Sequence, residues 1–172
     1  KMNGYIGVPS FLLSLIQKME ELGYDTEKDL LPISLVATQP FVYVVIPSVG
    51  VNSMKDLIAL AKQKPGQFNF GSAGIGSSSH IAGEAFKSAA GIDVVDVPFK
   101  LLGDIFTEMV AGRVHLYMFP LPAVMPMLKD GKLRVLAVGS PQQTPSLPGV
   151  PTIASSGLPG FQSESWFGVV AP

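Results

Sequence analysis

Between Asn69 and His80 the chain runs Asn-Phe-Gly-Ser-Ala-Gly-Ile-Gly-Ser-Ser-Ser-His, an apolar run that gives way to a Gly/Ser turn and then to a helical pattern. A strand ending in such a turn exposes the unpaired N–H groups of the following helix N-terminus, where partial positive charge favours an anion. Glycines at 74 and 76 let backbone approach a ligand closely, and Ser72, Ser77, Ser78 and Ser79 add hydroxyl donors. The segment therefore reads as an anion cradle. Gly74-x-Gly76 is followed by Ser79 rather than a third glycine, so the dinucleotide fingerprint is incomplete, and no Gly-Lys-Ser/Thr ending makes it a P-loop. A small carboxylate fits better than a phosphate. The plain alternative is turn chemistry and an N-cap with no ligand.

Other chemistry is sparse. His80 and His115 are the only histidines, and neither has a carboxylate at metal-ligand spacing, so no metal site is expected. Ser77, Ser78 and Ser79 precede His80 directly, but neighbours on one helical turn point in different directions and do not make a nucleophile and base pair. No Gly-x-Ser-x-Gly elbow occurs. For His80 a core or capping role is expected, with ligand contact as the alternative. Phe119-Pro-Leu-Pro122 follows a strand that ends at the same sheet edge as the cradle, either as an apolar wall for an organic acid or as a rigid turn. Lys100 ends another strand on that edge, where it steers an anion or faces solvent. Trp166 and Phe167 are expected in the core.

Elements that would position these groups follow from periodicity. Phe41 to Ile46 reads as a strand, and Ser53 with Asp56 caps a helix whose Met54, Leu57, Ile58 and Ala61 share a face. Strands at Gln67 to Ser72, Asp93 to Val97, Arg113 to Phe119 and Leu133 to Gly139 alternate with helices at Ser77 to Ala90, Leu102 to Ala111 and Ala123 to Lys129. Strands joined by crossover helices pair in parallel, so the expected fold class is α/β with a doubly wound, mostly parallel sheet. Beyond Ser140 five prolines in under twenty residues mark an ordered loop or boundary, before a last strand from Ser165 to Val170. Ser10 to Leu22 reads as a helix with Leu12, Leu15, Ile16 and Met19 on one face.

Composition narrows the classes. The 172 residues carry 12 basic and 13 acidic side chains, a net charge of −1, which argues against nucleic acid or an anionic membrane as partner. Only 15% are charged and 47% are hydrophobic, so part of the surface is expected to be covered, by self-association if by nothing else. The absence of cysteine excludes disulfides and thiolate chemistry. No apolar run is long enough to span a membrane and no signal peptide is visible, so the chain reads as soluble; its Lys-Met-Asn-Gly start looks like a trimmed product.

Longer motifs carry a resemblance. Lys64 through Glu84, Val97-Pro-Phe-Lys100, Ala111-Gly-Arg-Val114, Gly131 through Val138, Leu147-Pro-Gly-Val-Pro-Thr-Ile153, Gly157-Leu-Pro-Gly-Phe161 and Ser165-Trp-Phe-Gly168 resemble, in order, the solute-binding proteins of tripartite tricarboxylate transporters, the Bug or TctC family. That resemblance implies a periplasmic, non-enzymatic receptor with two α/β lobes of the Venus-flytrap kind, closing on a di- or tricarboxylate, an acidic amino acid or an aromatic acid. It needs no cofactor and delivers to the membrane components of a transporter. It further implies one lobe over residues 41–164, a partial first lobe and crossing strand over 1–40, and a return crossing strand over 165–172. Family ligand contacts then fall on Ser72, Ala73, Gly74, Gly76, Ser77, Ser78, Phe119 and Pro120. Many members have Asp where Pro120 stands, which argues against an amino-acid ligand, and Leu101 replaces a usual Gly. The rival reading is a nucleotide-dependent α/β enzyme using the Gly74/Gly76 turn for phosphate, with Asp96 as ribose acceptor.

Overall fold

The computed structural model describes residues 5–7, 18, 20–23 and 25–171. The expected helix from Ser10 to Leu22 lies mostly outside them, as do the residues of its apolar stripe; positions 18, 20 and 21 are helical. Strands are β1 (Tyr5–Gly7), β2 (Leu31–Val45), β3 (Asn69–Ser72), β4 (Val95–Pro98), β5 (Leu116–Pro120), β6 (Arg134–Val138) and β7 (Glu164–Ala171). Helices are α1 (Thr26–Asp29), α2 (Met54–Gln63), α3 (Ser78–Ala90), α4 (Leu102–Val110) and α5 (Leu121–Lys129). No helix among the described residues is long and apolar enough to cross a membrane.

β3 pairs in parallel with β4 on one side and with β5 on the other, as right-sized crossovers through α3 and α4 require. β2 departs from the expected parallel pairing. Residues 41–45 run antiparallel to β5, and residues 42–45 run antiparallel to β6. The reason is connectivity: β2 does not enter through a crossover of this sheet. It is fifteen residues long, and its first ten lie in a ribbon with β7, also antiparallel, which β1 extends. The burial pattern records this change, exposed through Thr38 and fully buried from Phe41.

Alternate residues of β2 face opposite sides of the sheet and seed two cores. Phe41, Tyr43 and Val45 pack with Met54, Leu57 and Ala61 of α2 and Phe86 of α3. Val42, Val44 and Ile46 pack with Ile105 and Met109 of α4 and Val124 of α5. Helices thus cover both faces. α2 starts where predicted, the Ser53 hydroxyl accepting from the Asp56 N–H at 3.1 Å. α5 starts two residues earlier than its periodicity suggests, directly off β5 at Leu121, because Pro122 is tolerated in a first helical turn where no N–H is needed. The proline-rich stretch is ordered, as expected: it bridges Val138 to Thr152 and returns to Gly139, which accepts from the Ser163 N–H at 2.9 Å. A Cβ on Gly139 would sit 2.3 Å from the Ser163 carbonyl oxygen, so this closure requires glycine.

Candidate functional site

The turn between β3 and α3 is built from its own side chains. Ser77 is the N-cap of α3, its hydroxyl accepting from the His80 N–H at 3.2 Å. The Ser79 hydroxyl accepts from the Ala73 N–H at 3.0 Å and lies 3.2 Å from the Ser77 hydroxyl. Tyr117 of β5 also hydrogen-bonds Ser79 from below; burial pushes the Tyr117 phenol above its ordinary range, and this bond opposes the shift. Gly74 and Gly76 have φ of 100° and 80°, a left-handed backbone that any side chain would strain. The Ser77 N–H donates to the Gly74 carbonyl at 3.1 Å and closes the turn.

These bonds divide the predicted residues into scaffold and mouth. The N–H groups of Ala73, Gly76 and Ser77 are satisfied within the turn, the Gly76 N–H by His80 Nδ1 at 3.4 Å. Among the described residues, the N–H groups of Gly74, Ile75, Ser78 and Ser79 have no acceptor. Ile75 lies between two predicted positions and was not singled out, since its exposed apolar side chain carries no signal for a backbone donor.

Beneath this mouth lies Ser72. On β3 it shares a face with Phe70, whose ring packs against Gly83 so tightly that a Cβ there would sit 2.0 Å from Cζ. Ser72 therefore points toward α3, at the end of the strand under the first helical turn. It is 0% exposed, and its Oγ has no hydrogen-bond partner among the described residues. A buried hydroxyl without a partner is costly and asks for an explanation.

The remaining predicted positions separate. Pro120 ends β5 at the same edge, because β3 and β5 run parallel with Phe70 opposite Leu116. Phe119 does not form an apolar wall there. It is 0% exposed, stacked on Phe106 at 4.5 Å and edge-on to Tyr117 at 4.0 Å, so it belongs to the core between the sheet and α4. His115 accepts the Asn69 N–H on Nδ1 at 2.9 Å, a structural tie between β3 and β5. Asp96 lies within β4 in register with Phe70, not at the strand end, and its Oδ2 stands 3.8 Å from His80 Nε2. It is engaged with the His80 ring, whose other nitrogen accepts the Gly76 N–H.

Trp166 corrects another expectation, being 39% exposed rather than buried. With Phe41, Ile81, Ala82, Ala85, Gln162, Ser163 and Glu164 it lines a hollow of about 330 Å³ that reaches Ser78. Apart from Ser78, none of these was a candidate from sequence. Their relevance comes from β7 crossing beside α3, a long-range event that no local pattern announces.

The sequence matches the family model described as "Tripartite tricarboxylate transporter family receptor" over residues 8–172. The chain belongs to this receptor family. Protein BugT of Bordetella pertussis is 34% identical over 154 residues, covering 90% of this chain and 47% of BugT. A solved structure described as "R. palustris Rpa4515 with adipate" is 39% identical with a TM-score of 0.78, covering 87% of this chain and 50% of that one. The structure of the periplasmic binding protein BugD is 26% identical with a TM-score of 0.81, covering 98% of this chain and 56% of that one. The chain thus spans about half the length of the family relatives it matches, and its fold is that of one lobe of a periplasmic binding protein.

Proposed function

We propose that this chain is the second lobe of a periplasmic receptor that captures a small organic carboxylate for a tripartite tricarboxylate-type transporter and releases it unchanged. The observation that carries the reading is the mouth of the turn: at the N-terminus of a thirteen-residue helix the N–H groups of Gly74, Ile75, Ser78 and Ser79 have no acceptor among the described residues, and neither has the buried Ser72 hydroxyl a partner there. The two oxygens of a carboxylate can accept from several of these N–H groups, while the buried Ser72 hydroxyl lies beneath them out of a ligand's direct reach. Adipate in the 39% identical relative supports the ligand class. The lobe assignment, residues 41–164 with crossing strands on either side, rests on the long β2 and β7 ribbon leading away from the sheet.

Magnitudes require a second lobe. A helix N-terminus contributes about 0.3–1 kcal/mol toward an anion and a charge-assisted hydrogen bond about 1.5–3 kcal/mol. After the cost of association, one water-exposed cradle reaches about −4 kcal/mol, a millimolar Kd, whereas micromolar capture needs about −8 kcal/mol. The other half of the protein would close over the ligand.

Calorimetry on the full-length protein with mono-, di- and tricarboxylates and aromatic acids tests the proposal. Micromolar binding of at least one acid, weakened about tenfold or more by Ser78→Pro, which removes an open N–H at the first helical position, is expected. Response to a nucleotide with none to any organic acid would overturn it in favour of the enzyme reading.

A further inference from the structure

A carboxylate stands where an anion cradle has no use for one. Asp96 pairs in register with Phe70, so its side chain rises on the face of the sheet that carries Phe70 and Ser72 and meets α3. That side chain is only 16% exposed, and its Oδ1 is buried with no hydrogen-bond partner among the described residues. A shielded negative charge beside the turn opposes an anionic ligand, so its presence there asks for an explanation. His80, in the first turn of α3, connects the two. Its Nε2 lies 3.8 Å from Asp96 Oδ2, and its Nδ1 accepts the Gly76 N–H at 3.4 Å. The His80 backbone N–H is in turn fixed by the Ser77 hydroxyl.

A ring nitrogen that accepts a hydrogen bond carries no proton, so neutral His80 holds its proton on Nε2, the nitrogen beside Asp96. At 3.8 Å the separation exceeds a hydrogen bond, yet a shielded carboxylate at that distance still favours the tautomer that turns its N–H toward the charge. The opposite tautomer would set the Nδ1–H and the Gly76 N–H, two donors, against each other. We infer that His80 is a positioning residue for the mouth: Asp96 selects its Nε2–H tautomer, and the bare Nδ1 fastens Gly76 to α3, holding the turn in the form that leaves the Gly74 and Ile75 N–H groups open. The inference rests on the cradle reading of the proposed function and adds to it two side chains that act without touching the ligand. It also separates two effects of Asp96. Through its charge alone, removing the carboxylate would strengthen anion binding; through the tautomer, removing it loosens Gly76 and weakens binding.

The test uses the full-length protein with adipate, succinate, citrate and benzoate as probes, the variants being compared by calorimetry on whichever acid binds most tightly. His80→Ala should weaken that acid about tenfold, whereas His80→Asn, whose side-chain oxygen takes the place of Nδ1 as acceptor, should stay within about threefold of the unaltered protein. Asp96→Ala should weaken binding about fivefold although it removes a negative charge, and Asp96→Asn, which keeps an acceptor for the Nε2–H, should stay within about threefold. Nitrogen-15 spectra of the histidine rings near neutral pH, assigned with His80→Asn, should show His80 protonated on Nε2 and bare on Nδ1, with the Nδ1–H form gaining in Asp96→Ala. Circular dichroism confirms that each variant is folded. An Nδ1–H tautomer in the unaltered protein, a folded His80→Asn as weak as His80→Ala, or tighter binding by Asp96→Ala than by the unaltered protein overturns the inference while leaving the cradle standing. Failure of all four acids to bind the unaltered protein overturns the cradle reading itself, and this role of His80 with it.

Discussion

Gly83→Ala puts the seating of α3 to a quantitative test. The new methyl would lie 2.0, 2.4 and 2.7 Å from three atoms of the Phe70 ring, distances that real side chains do not adopt. Phe70 is 0% exposed and has no free space to enter, so α3 must lift from the sheet or the ring must leave its rotamer. Such overpacking costs about 1–3 kcal/mol or somewhat more, against a gain of about 1 kcal/mol when alanine replaces glycine within a helix. The balance is a net loss of up to about 2 kcal/mol. Gly103 in α4 is the control, because a Cβ there meets nothing within 4 Å; Gly103→Ala should be neutral or stabilising by up to about 1 kcal/mol. Urea midpoints of the full-length variants, followed by circular dichroism, read the difference. Lifting α3 also moves Ser78 and Ser79 away from Ser72, so Gly83→Ala should weaken carboxylate binding. A Gly83→Ala variant as stable as Gly103→Ala would refute the contact on which the cradle's geometry rests.

Other outcomes follow from the same geometry. Ser79→Ala strands the Ala73 N–H and the Tyr117 hydroxyl, so it should destabilise by about 1–3 kcal/mol in urea unfolding. Gly74→Ala and Gly76→Ala force a left-handed backbone on alanine and should each cost about 1–2 kcal/mol, with a parallel loss of ligand affinity by calorimetry. Burial holds the Tyr43 and Tyr117 phenols protonated above the ordinary tyrosine range, so the unfolded chain releases protons first. Stability should be flat near neutrality and fall as pH rises above about 10, with Tyr43→Phe blunting the fall. His115, whose pKa burial lowers, acts in the opposite direction: the unfolded chain takes up the proton first. Stability should decline as pH drops below about 6.5, and His115→Gln should lessen that decline.

Local chemistry was legible in the sequence wherever neighbours in the chain are neighbours in space. Ser53 and Ser77 cap the helices that follow them, and the apolar stripe of α2 faces the core, because a cap and a helical stripe involve residues within two turns. The strand-to-helix turn at 72–78 was visible for the same reason. The antiparallel course of β2 was not, since pairing direction depends on where the chain comes from rather than on Phe41 to Ile46 themselves. Phe119 and Trp166 exchanged roles by a similar route. Phe119 is in the core because α4 brings Phe106 against it, and Trp166 is exposed because β7 leaves the sheet for the ribbon with β2. Composition treated both alike as large aromatic residues. Within the turn, sequence marked the segment as a candidate but could not separate the N–H groups that the Ser79 and His80 side chains satisfy from those left open.

The most direct measurement is a crystal structure of the full-length protein with a bound organic acid, supported by amide chemical shifts during titration. A carboxylate oxygen should stand about 3 Å from the N–H groups of Gly74, Ile75, Ser78 or Ser79, with the largest shifts at those amides. An acid bound elsewhere, with residues 72–79 unshifted, would contradict the account.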